Sequence, residues 1–146
     1  MNGVISERGD AMQKLSRYEP FFQNNIILLQ KAKTGLSPEA AFDFMLISEL
    51  PGEQVEAALN KSIKTFQNYR EKKANLDVTT SEKLLKLFAL YSRGTTVFGS
   101  LDAFTEWLSR PAYGIGNQVP QTLLDTMTGI ELINDELVRI EYGDLA

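Results

Sequence analysis

The stretch Lys61-Ser62-Ile63-Lys64-Thr65-Phe66-Gln67-Asn68-Tyr69-Arg70-Glu71-Lys72-Lys73 decides how the chain is read. Ser62 is a helix-capping residue, because its side-chain oxygen can take an otherwise orphaned backbone N–H. After it, Ile63, Phe66 and Tyr69 or Arg70 recur every three or four positions. That spacing lays one apolar stripe along a helix and leaves Lys64, Gln67, Asn68 and Lys72 facing outward. Five cations against the single acid Glu71 give residues 61–73 a local charge of +4, on a chain whose net charge is −4.

Working outward, the neighbouring segments also carry helix signals. Upstream, Pro51-Gly52 separates a helix with Val55, Ala58 and Leu59 on one face from an earlier helix. That earlier helix starts at Ser37-Pro38-Glu39 and carries Ala41, Phe44, Met45 and Ile47 or Ser48. Asn24 or Asn25 can cap a shorter helix through Lys33, which Gly35 ends. Residues 1–20 are mixed and polar, and are expected to form a loose arm. Downstream, Thr80 or Ser81 with Glu82 opens a long helix bearing Leu84, Leu85, Leu87, Phe88 and Tyr91. Ser100 caps a helix with Leu101, Phe104, Trp107 and Leu108 in phase, and Pro111–Val119 is a loop. Pro120 starts a short helix to Met127, and Thr128-Gly129 leads into a last one with Ile130, Ile133, Leu137 and Ile140 aligned. No segment alternates with period two, so the fold class is all-α, a helical bundle. The expected division is an arm and short helix over 1–35, a helix-turn-helix domain over 36–99 and a second helical domain over 100–146.

Helices near 37–48, 53–59 and 63–73 with tight turns between them have the spacing of a helix-turn-helix. In that motif the last helix lies in the major groove of DNA. Ser62 and Thr65 offer hydroxyls to phosphate, Lys64 suits phosphate or guanine, and Asn68 suits adenine. Lys61, Arg70 and Lys72 add salt-dependent attraction. From Gly99 onward eight acids face two bases, a local −6, which points to a different kind of partner there.

Composition narrows the function classes. The chain has neither cysteine nor histidine, which excludes disulfides, His-dependent triads and Cys/His zinc sites. No metal, cofactor or small-molecule substrate is expected, and the chain is not expected to be an enzyme. Gly114-x-Gly116 lacks both the third glycine and the βαβ setting of a nucleotide loop, so it reads as a plain turn. No apolar run approaches the roughly 20 residues a membrane span needs, and no secretory leader is evident, so a cytoplasmic protein without membrane contact is expected.

Ser62-Ile63-Lys64-Thr65-Phe66, then Tyr69-Arg70 and Thr80-Ser81-Glu82-Lys83-Leu84, resemble the helix-turn-helix of the Xre/MbcA/ParS-type antitoxins. The last third is similar to their toxin-binding domain. It holds Phe104, Trp107-Leu108, Pro111, a glycine loop, Pro120, Leu123-Leu124-Asp125-Thr126, Gly129 and Arg139-Ile140-Glu141-Tyr142-Gly143. The likeness runs from about Leu36 to Ala146. The family's loop usually reads close to Ala-Leu-Gly-Gly, and here Gly114-Ile115-Gly116-Asn117 stands in its place.

The resemblance implies a type II toxin–antitoxin module. The partner is then a RES-domain, NAD-consuming toxin, and the antitoxin is a homodimer that also binds operator DNA. It also implies that the C-terminal segment Glu141, Tyr142, Gly143, Asp144, Leu145 and Ala146 approaches the toxin's cleft. Gly143 is expected to end the last helix as a left-handed cap, leaving an acidic end whose carboxylates suit a pocket built for phosphates. The alternative is a stand-alone helix-turn-helix regulator with a C-terminal dimerisation domain.

Overall fold

Several helices begin on a side-chain oxygen that accepts the N–H three residues on. Asn24 accepts from Ile27 at 2.9 Å, Ser62 from Thr65 at 3.1 Å, Ser100 from Ala103 at 3.0 Å and Thr126 from Gly129 at 2.9 Å. Each satisfies one of the N–H groups that a helix start leaves without an internal partner.

The computed structural model describes residues 3–143, and side chains from residue 8 onward. The helices are α1 (Gly3–Tyr18), α2 (Asn25–Thr34), α3 (Glu39–Ser48), α4 (Gly52–Leu59), α5 (Ile63–Lys72), α6 (Val78–Phe98), α7 (Leu101–Leu108) and α8 (Met127–Glu141). Short 3-10 turns lie at Glu19–Phe21, Tyr113–Ile115 and Pro120–Leu123. Among the described residues the fold is all-α, with one isolated bridge between Ala112 and Gln118. The chain forms two compact units, Met1–Ala89 and Leu90–Ala146.

In the first unit, α1 replaces the loose arm expected over residues 1–20. Among its described side chains Ala11 and Leu15 are buried, and the Tyr18 ring stacks on Phe88 with centroids 4.1 Å apart. Charge completes the docking on α3. Asp43, a buried carboxylate, accepts a 2.5 Å hydrogen bond from the Tyr18 hydroxyl and has Lys14 Nζ at 3.7 Å and Arg17 Nη2 at 4.0 Å. Burial, the hydrogen bond donated to Asp43 and that carboxylate's charge push the Tyr18 hydroxyl well above its ordinary value. The core around this contact holds Ala41, Phe44 and Ile47 of α3 with Leu84, Leu85 and Phe88 of α6, and Phe44 meets Phe88 edge-on.

The start of α6 also differs from expectation. Asp77 caps it, with Oδ2 accepting from the Thr80 N–H at 3.1 Å and Oδ1 from the Thr80 hydroxyl at 2.8 Å. Ser81 lies inside the helix, fully buried, and accepts the Leu36 N–H at 2.9 Å. The Leu76 N–H donates to the Leu36 carbonyl at 2.8 Å, so the segment before α3 is clasped to the segment before α6. Gly35 is required there: its φ is +88°, and a Cβ would sit 2.6 Å from the Leu76 carbonyl oxygen.

The second unit is organised around Phe104. This fully buried ring meets Tyr91 edge-on at 5.2 Å and lies 6.1 Å from both Phe98 and Trp107. Gly94 of α6 lets the ring approach the helix, since a Cβ would come within 2.4 Å of it. Leu124, Ile130, Ile133 and Leu137 complete the core, and Ile140 is half-buried. The short helix expected from Pro120 to Met127 is a 3-10 turn ending at Leu123, and Met127 already belongs to α8 behind the Thr126 cap. Gly143 has a left-handed φ of +70° and its N–H reaches the Ile140 carbonyl at 3.0 Å, the helix end expected of it.

Candidate nucleic-acid and toxin interfaces

The first candidate surface is the outer side of α5. The preceding helix α4 ends at Asn60, whose left-handed φ of 57° turns the chain through Lys61 and Ser62 into α5. Phe66 is fully buried under α5 and anchors it, while Lys64, Gln67, Asn68 and Lys72 are exposed, as the spacing predicts.

The N-terminus of α5 is engaged by the chain's own atoms. Ser62 Oγ takes the Thr65 N–H and lies 2.8 Å from the Thr65 hydroxyl. The carboxylate of Glu56 on α4 takes the Ile63 N–H at 2.8 Å. A carboxylate therefore stands where a helix start would otherwise attract a phosphate.

Two of the seven residues put forward for DNA contact are also drawn inward. Lys61 Nζ pairs with Asp77 at 3.1 Å. Arg70 Nε pairs with Glu39 Oε1 of α3 at 2.8 Å, and its guanidinium lies 3.7 Å from the centroid of the Phe42 ring. Burial alone would raise Asp77, but hydrogen bonds from the Thr80 hydroxyl and N–H and from the Lys61 ammonium outweigh it and hold this carboxyl below its usual range. Asp77 and Glu39 lie 16 and 31 residues from their partners along the chain, too far for local spacing to reveal the pairs. The structure thus gathers Lys64, Gln67, Asn68 and Lys72 on one face, with Ser62 and Thr65 at its start. Gln67 belongs to this face by exposure and by its place one turn after Lys64.

The second candidate surface lies on the Leu90–Ala146 unit. The structure separates the four acids of α8, Glu131, Asp135, Glu136 and Glu141. Glu131 and Asp135 are exposed. Glu136 is buried at 7% exposure and held through both oxygens by Arg139, Nε at 2.9 Å and Nη2 closer. Glu141 pairs with Arg93 at 3.0 Å.

The turn Tyr113–Ile115 sits over Glu136, because a Cβ on Gly114 would fall 2.1 Å from Glu136 Oε2. Gly116 and Asn117 follow with φ of +71° and +61°, which closes the hairpin-like turn between Ala112 and Gln118. A carboxylate beneath the glycine is the wrong charge for a phosphate cradle, in keeping with the plain-turn reading. Around this frame Tyr113 is 90% exposed and Tyr142 80%, with Met127 and Leu132 also open. Tyr113 and Leu132 escape a reading based on the apolar stripe, since they fall outside it. Asp144, Leu145 and Ala146 lie outside the described residues.

Comparison with known proteins places this second unit. Residues 93–143 match the family described as the antitoxin Xre/MbcA/ParS C-terminal toxin-binding domain. The chain is 23% identical over 118 residues to a protein named Antitoxin Xre from Yersinia enterocolitica, covering 80% of each. It is 24% identical over 82 residues to an Antitoxin Xre from Photorhabdus laumondii, covering 56% of this chain and 55% of that one. The matched domain and both relatives liken the chain to an antitoxin of the Xre/MbcA/ParS type. Among the described residues no helix is long and apolar enough to cross a membrane.

Proposed function

We propose that this antitoxin neutralises a RES-domain, NAD-consuming toxin by protein contact, and that its helix-turn-helix binds the operator of its own operon. The observation that carries the reading is the match of residues 93–143 to a toxin-binding domain. The RES partner follows from the family resemblance set out above.

Toxin contact is assigned to the open side of α8, with Glu131, Leu132 and Asp135, and to the segment Glu141–Ala146 that follows. Exposed Tyr142 offers apolar area with a polar tip, a residue type favoured at the centres of interfaces. The acids suit a cleft that binds a dinucleotide, because groups that hold phosphate also hold carboxylate. The protein works without a cofactor of its own, and inhibition is occlusion. DNA contact is assigned to Lys64, Asn68 and Lys72, with Ser62 and Thr65 shaping the helix start. Pairing of two chains would place two reading helices about 34–36 Å apart, one turn of DNA.

Co-expression with the adjacent gene tests the reading. A RES-type protein that co-purifies with the chain, and that consumes NAD once separated from it, is the expected result. A neighbour that neither binds the chain nor touches NAD would overturn it.

A further inference from the structure

We propose that Arg70 is a positioning residue, pinning the reading helix α5 to α3 through Glu39 and Phe42, and makes no contact with DNA; the inference rests on the DNA-binding reading above. Arg70 belongs to the basic cluster that first suggests phosphate binding, and its place in the fold argues for a different role. Glu39 and Phe42 lie one turn apart on α3, so a single guanidinium meets both. Its edge reaches Glu39 at 2.8 Å while its face covers the ring at 3.7 Å. A planar guanidinium can use edge and face together, and a lysine ammonium cannot.

The geometry tethers α5 at both ends. Glu56 of α4 holds the first N–H, and Arg70 holds the last turn against α3. Between these points Phe66 is the buried anchor, so the two tethers fix the rotation of α5 about its own axis. That rotation sets where Lys64 and Asn68 point.

Charge supports the same assignment. A phosphate beside Arg70 would also lie beside the Glu39 carboxylate, which already neutralises the guanidinium. Counting Glu39 and Asp77 with residues 61–73 lowers the local charge from +4 to +2. The attraction for DNA is then carried by Lys64, Lys72 and Lys73.

The test measures binding of a labelled duplex spanning the region upstream of the chain's own gene, over a salt series. Arg70→Gln is expected to weaken binding by about 3–10-fold, from the loss of a partly exposed cation–ring contact and ion pair. The slope of log affinity against log salt should stay that of the wild type, whereas Lys72→Ala should flatten it by about 0.9. Glu39→Gln, which keeps Arg70, should weaken binding with the same unchanged slope, and the double variant should be no worse than Arg70→Gln. Arg70→Lys should fail to restore binding.

The proposal is overturned if Arg70→Gln flattens the slope, if Glu39→Gln tightens binding by freeing the guanidinium, or if Arg70→Lys binds like the wild type. Should Arg70→Gln fail to fold, Glu39→Gln carries the same decision. Wild-type protein that leaves the duplex unbound would instead overturn the DNA-binding reading, and the proposal with it.

Discussion

Gly114→Ala is expected to destabilise the Leu90–Ala146 unit although it adds a single methyl group on an exposed turn. The new Cβ would lie 2.1 Å from Oε2 and 2.3 Å from Oε1 of Glu136. Neither partner can step aside easily. Glu136 is 7% exposed and both of its oxygens are held by Arg139, so moving the carboxylate breaks a charge-assisted pair. Moving the turn instead lifts Tyr113–Ile115 and strains the bridge between Ala112 and Gln118. Forcing an extra carbon into a filled site costs about 1–3 kcal/mol. A unit of this size loses about 4–8 °C of melting temperature per kcal/mol, so a fall of roughly 4–24 °C is expected.

The assay is thermal unfolding followed by circular dichroism, repeated in a Glu136→Ala background. Shortening Glu136 removes the obstacle, so Gly114→Ala should cost less there than in the wild type, a coupling of the kind that neighbouring sites show. An equal loss in both backgrounds, or no loss in the wild type, would refute the claim that the turn rests on this carboxylate.

Further outcomes follow from the same contacts. Replacing Lys64 and Asn68 together with alanine should weaken operator binding by roughly 2–6 kcal/mol, at about 1–3 kcal/mol for each base contact, in a gel-shift series. Because the Tyr18 hydroxyl is raised in the fold, its stabilisation is complete below the unfolded value of about 10 and is lost as pH climbs past it. Alkaline melts should therefore show a steeper loss for the wild type than for Tyr18→Phe. Sedimentation at tens of micromolar without toxin should give a dimer, and a monomer would refute pairing. Removing residues 143–146 should leave toxin binding in place while NAD turnover returns. Full inhibition by the shortened chain would shift the assignment to the α8 surface.

Sequence reading recovered what is encoded locally. Ser62, Ser100 and Asn24 announce their helices because a cap is a contact over three residues, and the stripe of Ile130, Ile133 and Leu137 repeats within one helix. The likeness to a toxin-binding domain was legible because its marks lie close together between Phe104 and Gly143, within the matched residues 93–143. Contacts made across the chain stayed hidden. Helix α1 escaped the reading because, among its described side chains, the buried stripe comprises Ala11, Leu15 and part of Tyr18, beside charge pairs with α3. Thr80 and Ser81 look like caps by type, yet Asp77 takes that role and Ser81 is buried against Leu36. For the DNA surface, spacing gave the exposed face of α5 correctly. It could not reveal that Lys61 and Arg70 turn back onto Asp77 and Glu39.

Whether this chain silences a toxin by binding it is decided by titrating the separated product of the adjacent gene with the chain and following NAD consumption. Occlusion by a tight protein partner gives a linear fall in turnover to a sharp end point at a fixed molar ratio. NAD turnover that stays undiminished at a molar excess of the chain would contradict it.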